Sequence, residues 1–482
     1  MAEFHVENFG CRAARADGEA VSSRLRAAGL SEGSPAAADV VVVNTCSVTA
    51  EADREARAFI RRTHRRNPEA RIVVTGCYAQ RAPEELVALA GVAAVVGNSH
   101  KALAPEIVLG LAGGMELARG SANSELVPLR TLLGTAGAGA AQIWADDVFA
   151  HSFIEEAQLL PGTQTRPNLK IQEGCGNRCT FCVIPQTRGS SRSLAADAVM
   201  RQVDGFVAAG GIELVLSGIN LGRWGRDLPQ QENSPGTLAA LVRQILASTG
   251  LPRLRLSSIE PMDWDAELIA LMAEFGCKSD SPNGAGVGRL ARHAHLPLQS
   301  GSDAVLRRMH RRYRPWHYVE KAEALFKAAG SDLTLGADVM AGFPGETDAE
   351  FEETLAFIHA LPFGYLHLFP FSARPGTKGW ALHAERPVAL EVAEERMTVL
   401  RRVATEKSRA HRARFVGREF ECISLNTPDA MAPQNRTPAL TDNFLQLEIE
   451  GRVAANQLIT VRVAGMEQDG TLRAVGAACL VS

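Results

Sequence analysis

Cys175, Cys179 and Cys182 are the residues best placed to do chemistry in this chain. They stand in Q-E-G-C-G-N-R-C-T-F-C-V-I-P-Q-T-R, which runs from Gln172 to Arg188, at C-x-x-x-C-x-x-C spacing. Three thiolates in one loop suit a soft metal centre. Iron–sulfur clusters are held by cysteine thiolates, and a cubane normally takes four. Three would leave one iron with an open position, where a substrate or cofactor can coordinate. Zinc lacking its fourth ligand and a loop that is merely cysteine-rich are competing readings of the spacing. A second set of three, Cys11, Cys46 and Cys77, is spread along the first part of the chain.

The elements around these residues suggest how the thiols could meet. Leu169 and Ile171 form an alternating apolar run before Cys175. It reads as a short strand, which places the triplet in the loop at its end. The earlier cysteines share one grammar. His5–Gly10 leads to Cys11, Val40–Thr45 to Cys46 and Ile72–Gly76 to Cys77. Helical patterns follow at Gly18–Ala28, at Ala50–Arg66 and from about Pro83. Such alternation implies βαβ units and a parallel sheet. Ligands of open α/β sheets gather at the carboxyl ends of the strands, so these three cysteines would share one edge. One such cysteine would be an ordinary small hydrophobe. Three at equivalent strand ends favour a second cluster with one open iron.

The C-x-x-x-C-x-x-C spacing with Phe181 before its last cysteine resembles the signature of the radical S-adenosylmethionine (SAM) enzymes. The resemblance implies that Cys175, Cys179 and Cys182 hold a [4Fe-4S] cluster whose open iron binds SAM. Cleavage of SAM then yields a 5′-deoxyadenosyl radical that abstracts hydrogen, and the protein supplies ligands, orientation and exclusion of water. F-G-C-R, V-N-T-C-S-V-T-A-E-A-D-R-E-A-R, V-T-G-C-Y-A-Q and V-V-G-N resemble the N-terminal domain of the methylthiotransferases. By that resemblance Cys11, Cys46 and Cys77 hold an auxiliary [4Fe-4S] cluster that supplies sulfur. Arg12-Ala13-Ala14 departs from the polar Asn or Gln that relatives often carry there.

From Asn168 a βα series runs through strands near Leu169–Gln172, Glu213–Ser217, Arg253–Ser258, His293–Leu298, Leu333–Val339 and Tyr365–Phe371. Six units suit an open, partial (β/α)6 barrel with its active residues at the strand ends. Those ends carry Asn220, Ser258, Glu260, Gln299, Ser300, Ser302, Asp338 and Gly342. The resemblance makes them the SAM pocket, with the backbone near Phe181, Asn220 and Gln299 as candidate contacts. His295 reads as a core or rim histidine. After Arg418 short strands separated by Gly, Pro and Asn imply a small β-barrel. T-D-N-F at Thr441–Phe444 resembles a TRAM domain, a small RNA-binding module. The fold class is thus α/β: an N-terminal parallel-sheet domain (1–110), a linker (111–164), the radical SAM barrel (165–400), a basic connecting helix (401–417) and the TRAM-like barrel (418–482). Leu132–Ala141, rich in small residues, reads as flexible.

Composition excludes other classes. Net charge is −3 over 482 residues, so no global field draws the protein to nucleic acid. The apolar runs, Val40–Val43 among them, are far too short to span a bilayer, and the first residues lack the pattern of a signal peptide. A cytoplasmic location is expected, without a membrane partner. Thiols stay reduced there, and the remaining Cys277, Cys422 and Cys479 are expected to be structural or inert. Basic density is local. Arg61, Arg62, Arg65 and Arg66 end one helix, where they suit the helix dipole or a phosphate backbone equally. R-R-M-H-R-R-Y-R at 307–314, with Tyr313 and Trp316, fits contact with RNA and stacking on a base. Another tract comprises Arg401, Arg402, Lys407, Arg409 and Arg412.

The tips S-S-I-E-P and S-G-I-N-L-G most resemble those methylthiotransferases that act on threonylcarbamoyladenosine. The implied reaction replaces C2–H of that adenosine, beside the anticodon of tRNA, with a methylthio group. The implied partners are the anticodon stem-loop, an electron donor such as flavodoxin or ferredoxin, and a sulfur source. No acid–base pair is expected, because C2 offers no acidic proton. Isopentenyladenosine in tRNA and an aspartate of a ribosomal protein are the alternative substrates. A non-catalytic, metal-bearing RNA-binding protein is the further alternative.

Overall fold

The computed structural model describes residues 2–112, 141–149, 154, 159, 166–229, 235–276, 288–429 and 431–479. Cys277 and all of Leu132–Ala141 except its last residue lie outside them. The chain divides into two units. The first comprises Met1–Gln158, Glu173–Arg178 and Cys182–Arg192; the second comprises Leu159–Gln172, Cys179–Phe181 and Ser193–Ser482.

The first unit is built on a parallel sheet. Its strands are β1 (Glu3–Asn8), β2 (Ser31–Glu32), β3 (Val40–Thr45), β4 (Arg71–Gly76), β5 (Val92–Gly97) and β6 (Gln142–Trp144). They pair in the order β2-β1-β3-β4-β5-β6. Every residue of β3 is buried, as befits a central strand covered on both faces. Val40 and Val42 pack with Val21, Leu25, Ile107 and Val108 on one side. Val41 and Val43 pack with Ala56, Ile60 and Leu86 on the other.

The helix Ala50–Arg66 has the expected bounds. Thr49 caps it, its hydroxyl accepting from the Ala52 amide at 3.2 Å. The first helix differs from expectation. It spans Arg12–Ala27, with Cys11 as its N-cap, rather than starting at Gly18. Gly18 is not a start signal but a contact: a Cβ there would fall inside the Asn8 side chain. Its lack of a side chain lets the helix lie close on β1.

In the second unit β7 (Asn168–Glu173), β8 (Arg192–Ser193), β9 (Glu213–Gly218) and β10 (Arg253–Leu256) pair in the order β10-β9-β7-β8. β11 (His293–His295), β12 (Thr334–Ala341) and β13 (Phe363–Pro370) form a second parallel sheet. An isolated parallel bridge between Leu254 and Leu290 joins the two series. Helices alternate with these strands throughout, as in the expected partial barrel. The helix Leu390–Ala413 then leads to five strands, Glu419–Ser424, Arg436–Thr441, Gln446–Glu450, Leu458–Met466 and Leu472–Cys479, which close into a barrel. Cys422 lies in its core.

Buried charge joins this barrel to the strands before it. Thr441–Phe444 lies at this joint. Arg255 donates to the carbonyls of Thr441 and Asp442, each at 3.0 Å. Arg292 binds the Asp442 carboxylate at 2.6 and 3.3 Å. Phe444, held at φ 67°, stacks on His293 at 4.2 Å. Part of the basic helix tract also packs against neighbouring backbone. Arg409 donates to the Gln468 carbonyl, and Arg412 donates to that of Gly470. Lys407 donates to the carbonyls of His359 and Leu361.

Glu213 sits wholly buried beneath Arg255, Arg253 and Arg166. Burial pushes its carboxyl up, but these three guanidiniums override it and hold it at about 2. Glu213→Gln should cost about 3–5 kcal/mol at neutral pH, because it leaves buried cations short of their counter-charge. A depressed pKa stabilises above the unfolded value near 4.5 and loses that effect as pH falls toward 2. The melting-temperature gap between wild type and variant should therefore close below about pH 4.5. A gap independent of pH would contradict this account.

Candidate metal centre

Cys11, Cys46 and Cys77 directly follow, or lie close beyond, the carboxyl ends of β1, β3 and β4. These strands are adjacent, in the order β1-β3-β4. The thiols are close enough to oppose one another's ionisation. Burial first, then Cys77 and Cys11, push the Cys46 thiol up to about 12. Cys11 retains solvent-accessible area, yet the dense packing on its other sides, with Cys77 beside it, raises its thiol too. Burial and mutual repulsion thus favour the neutral thiols here, and a bound cation would favour their thiolate forms.

Local backbone makes room for them. Gly10 has φ 102°, and a Cβ there would overlap the Cys46 Cβ and lie 2.7 Å from its Sγ. Gly76 has φ 97°, and a Cβ there would press on the Thr45 backbone. Asn98 donates at 3.5 Å to the Cys77 sulfur and at 2.8 Å to the Thr187 carbonyl.

The segments flanking the second triplet belong in part to this same unit. Cys175 and Cys182 lie in it, after β7. The Cys175 amide donates to the Gly189 carbonyl at 3.1 Å, and its sulfur accepts from the Asn177 amide at 3.4 Å. Arg188 is wholly buried. Its Nε donates to the Cys77 sulfur at 3.2 Å. Its Nη1 reaches Glu173 at 2.7 Å and Asp17 at 3.0 Å. Lys101 pairs with the same two carboxylates. Hence Glu173 and Arg188, which bracket the loop cysteines in sequence, are anchored among the residues around Cys77. Sequence reasoning missed this network. Arg188 closes the quoted cysteine stretch, but its type and position alone do not show that it is buried.

Cys179 belongs to the second unit. Its sulfur accepts from Arg311 at 3.3 Å. Arg311 forks onto Glu260 at 2.7 and 2.6 Å and lies 5.0 Å over the Tyr313 ring. This corrects the RNA reading at Arg311 and Tyr313, which are buried, while Arg307, His310 and Arg312 stay exposed. Tyr313 is fully buried, donating to the carbonyls of Pro297 and Leu298. Arg308 binds Glu350, Arg312 binds Asp263 and Arg314 binds Asp303. Trp316 remains exposed. So do Arg61, Arg62, Arg65 and Arg66, none of which forms an ion pair among the described residues.

The three candidate SAM contacts also lie in the second unit. Phe181 borders Gly379, whose amide donates to the Thr180 carbonyl at 2.7 Å. The Asn220 amide donates to Gln172 at 2.6 Å. Gln299 is buried at φ 66°, and among the described residues its side-chain oxygen has no hydrogen-bond partner. A strained backbone with an unanswered polar atom befits a ligand site. His295 is buried and satisfied: Nδ1 meets the Tyr365 hydroxyl at 2.9 Å and Nε2 meets Asp338 at 3.2 Å. With His367 these residues have the composition of a metal site. Both oxygens of Asp338 are, however, already engaged by the two histidines.

Comparison with known proteins places the chain in a family. Residues 3–97 match the uncharacterized protein family UPF0004, and residues 169–358 match the Radical SAM superfamily. The threonylcarbamoyladenosine tRNA methylthiotransferase MtaB of Bacillus subtilis is 34% identical, over 94% of this chain and 91% of that one. The same-named protein of Aquifex aeolicus is 31% identical, over 95% and 99%. A tRNA-2-methylthio-N(6)-dimethylallyladenosine synthase of Sorangium cellulosum is 32% identical, over 88% and 82%. Among solved structures, the radical S-adenosylmethionine methyltransferase TsrM of Kitasatospora setae aligns with TM-score 0.52 at 15% identity, over 80% and 75% of the two chains. That likeness is one of fold alone.

Gly10→Ala tests the packing at Cys46. It should destabilise the protein by about 1–3 kcal/mol from backbone strain and speed alkylation of Cys46 in metal-free protein. Unchanged melting with unchanged Cys46 reactivity would contradict the packing described.

Proposed function

Since the chain belongs to the radical SAM methylthiotransferases, we propose that it replaces C2–H of N6-threonylcarbamoyladenosine, beside the anticodon of tRNA, with a methylthio group. The observation that carries this reading is the presence of two thiol triplets in one chain, matched over nearly its whole length by relatives named for that reaction. Family members use SAM and a [4Fe-4S] cluster. Cys175, Cys179 and Cys182 would hold the cluster that binds SAM, and Cys11, Cys46 and Cys77 the auxiliary one. When bound, these groups supply the carbon radical and the sulfur; the chain's own side chains supply ligands, orientation and dryness.

The donor sets fit. All six ligands are thiols, soft donors suited to iron–sulfur clusters. The buried oxygen of Gln299 and the backbone beside Phe181 offer SAM acceptors and a close approach, with Asn220 nearby in the strand-end series. Arg61, Arg62, Arg65 and Arg66 present exposed cations to an RNA backbone without rival carboxylates. The working compartment is the cytoplasm. An electron donor such as flavodoxin or ferredoxin and a separate sulfur source complete the set of partners.

Relatives named for dimethylallyladenosine keep isopentenyladenosine as a second reading. Anaerobically reconstituted enzyme, given SAM, reductant and sulfide, separates the two. With tRNA bearing threonylcarbamoyladenosine, nucleoside mass spectrometry should show the methylthio product together with 5′-deoxyadenosine. With tRNA bearing only isopentenyladenosine it should show none. Product from the second tRNA alone would reverse the assignment, and product from neither would remove tRNA as the substrate.

A further inference from the structure

We propose that Arg188 and Arg311 set the reduction potentials of the two clusters, one arginine for each. The proposal rests on the assignment of the six cysteines given under Proposed function. Each triplet meets one deeply buried guanidinium that donates to one of its sulfurs: Arg188 to Cys77 at 3.2 Å and Arg311 to Cys179 at 3.3 Å. Burying a guanidinium is costly, and such groups persist where they are paired. Here carboxylates do the pairing and also aim the donor. Glu173 and Asp17 hold Nη1 of Arg188, which leaves Nε turned toward sulfur. Glu260 takes Arg311 in a fork while Nη1 reaches sulfur. Arg311 cannot swing away without breaking its pair with Glu260, whereas Glu173 and Asp17 hold Arg188 in place while also pairing with Lys101.

Among the described residues the two surroundings balance their charge with different groups. Around Arg188, Lys101 is a second cation, so two cations face two carboxylates. At Arg311 one cation faces Glu260, and Tyr313 accepts from Nε at 3.2 Å. Cluster potentials follow net charge and hydrogen bonds to the sulfurs. Reduction adds an electron to the iron–sulfur core, and a donor on sulfur stabilises the added charge. Each arginine therefore raises the potential of its own cluster. Arg188 contacts the auxiliary ligand set and Arg311 the SAM-binding set, so the two effects are separable.

Redox titration of the full-length, anaerobically reconstituted enzyme, followed by electron paramagnetic resonance, tests this. Addition of SAM perturbs the signal of the SAM-binding cluster and so labels it. Arg188→Gln should lower the auxiliary potential by at least tenfold in the one-electron equilibrium, about 59 mV, and leave the other couple in place. Arg311→Gln should do the converse. Arg188→Lys and Arg311→Lys should recover part of each shift. If a single variant fails to load iron, R188Q/E173Q and R311Q/E260Q, which remove a cation and a carboxylate together and so isolate the hydrogen bond to sulfur, should lower the same couple by a smaller amount. Potentials unmoved in variants that hold both clusters would overturn the proposal. A wild-type protein whose signals do not depend on the six cysteines would overturn the cluster assignment instead.

Discussion

Three thiols crowded at the ends of adjacent parallel strands oppose one another's ionisation, and the proposed cluster would supply the cation that offsets this. The upward shift at Cys46, driven by burial and by its two sulfur neighbours, expresses that constraint. A metal that binds thiolates relieves it, and Arg188 relieves part of it in advance. The rest of the first unit follows from placing those thiols. β3 is apolar on both faces because it is central, and Gly10 and Gly76 take positive φ because side chains there would displace the cysteines or their strand.

The second unit solves a similar problem with different groups. Its strands carry Arg253, Arg255, Glu213 and Arg292 at their starts, where a barrel would otherwise be open. The C-terminal barrel brings Asp442, the carbonyls of Thr441 and Asp442, and the ring of Phe444 to meet them. The T-D-N-F segment, by which the small barrel resembles a TRAM domain, thus forms a structural joint. The basic tract of the helix Leu390–Ala413 likewise spends its Arg409 and Arg412 side chains on carbonyls of the small barrel.

Much of this was legible beforehand, for identifiable reasons. A parallel sheet buried on both faces produces unbroken apolar runs, so β3 and β4 were recognisable almost to the residue. The placement of Cys11, Cys46 and Cys77 at or just beyond three adjacent strand ends was legible from the apolar runs before them, whereas spacing alone left zinc and a cluster both open for the loop triplet. What stayed hidden was the fate of charge. Arg308, Arg311, Arg312 and Arg314 read as one basic surface, but the fold sends each to a different carboxylate. Glu260 was visible as a strand-end residue, whereas its partner lay 51 positions away. Gly18 misled because a glycine that permits close packing has the same appearance as one that marks a boundary.

The measurement closest to the centre of this account is Mössbauer spectroscopy with iron and sulfide analysis on anaerobically reconstituted protein. Wild type should hold about eight irons as two [4Fe-4S] clusters. The C11A/C46A/C77A variant should lose one cluster and keep the signal that responds to SAM. A wild type with a single cluster, or a variant that still holds two, would contradict the claim that the strand-end thiols form a second metal centre.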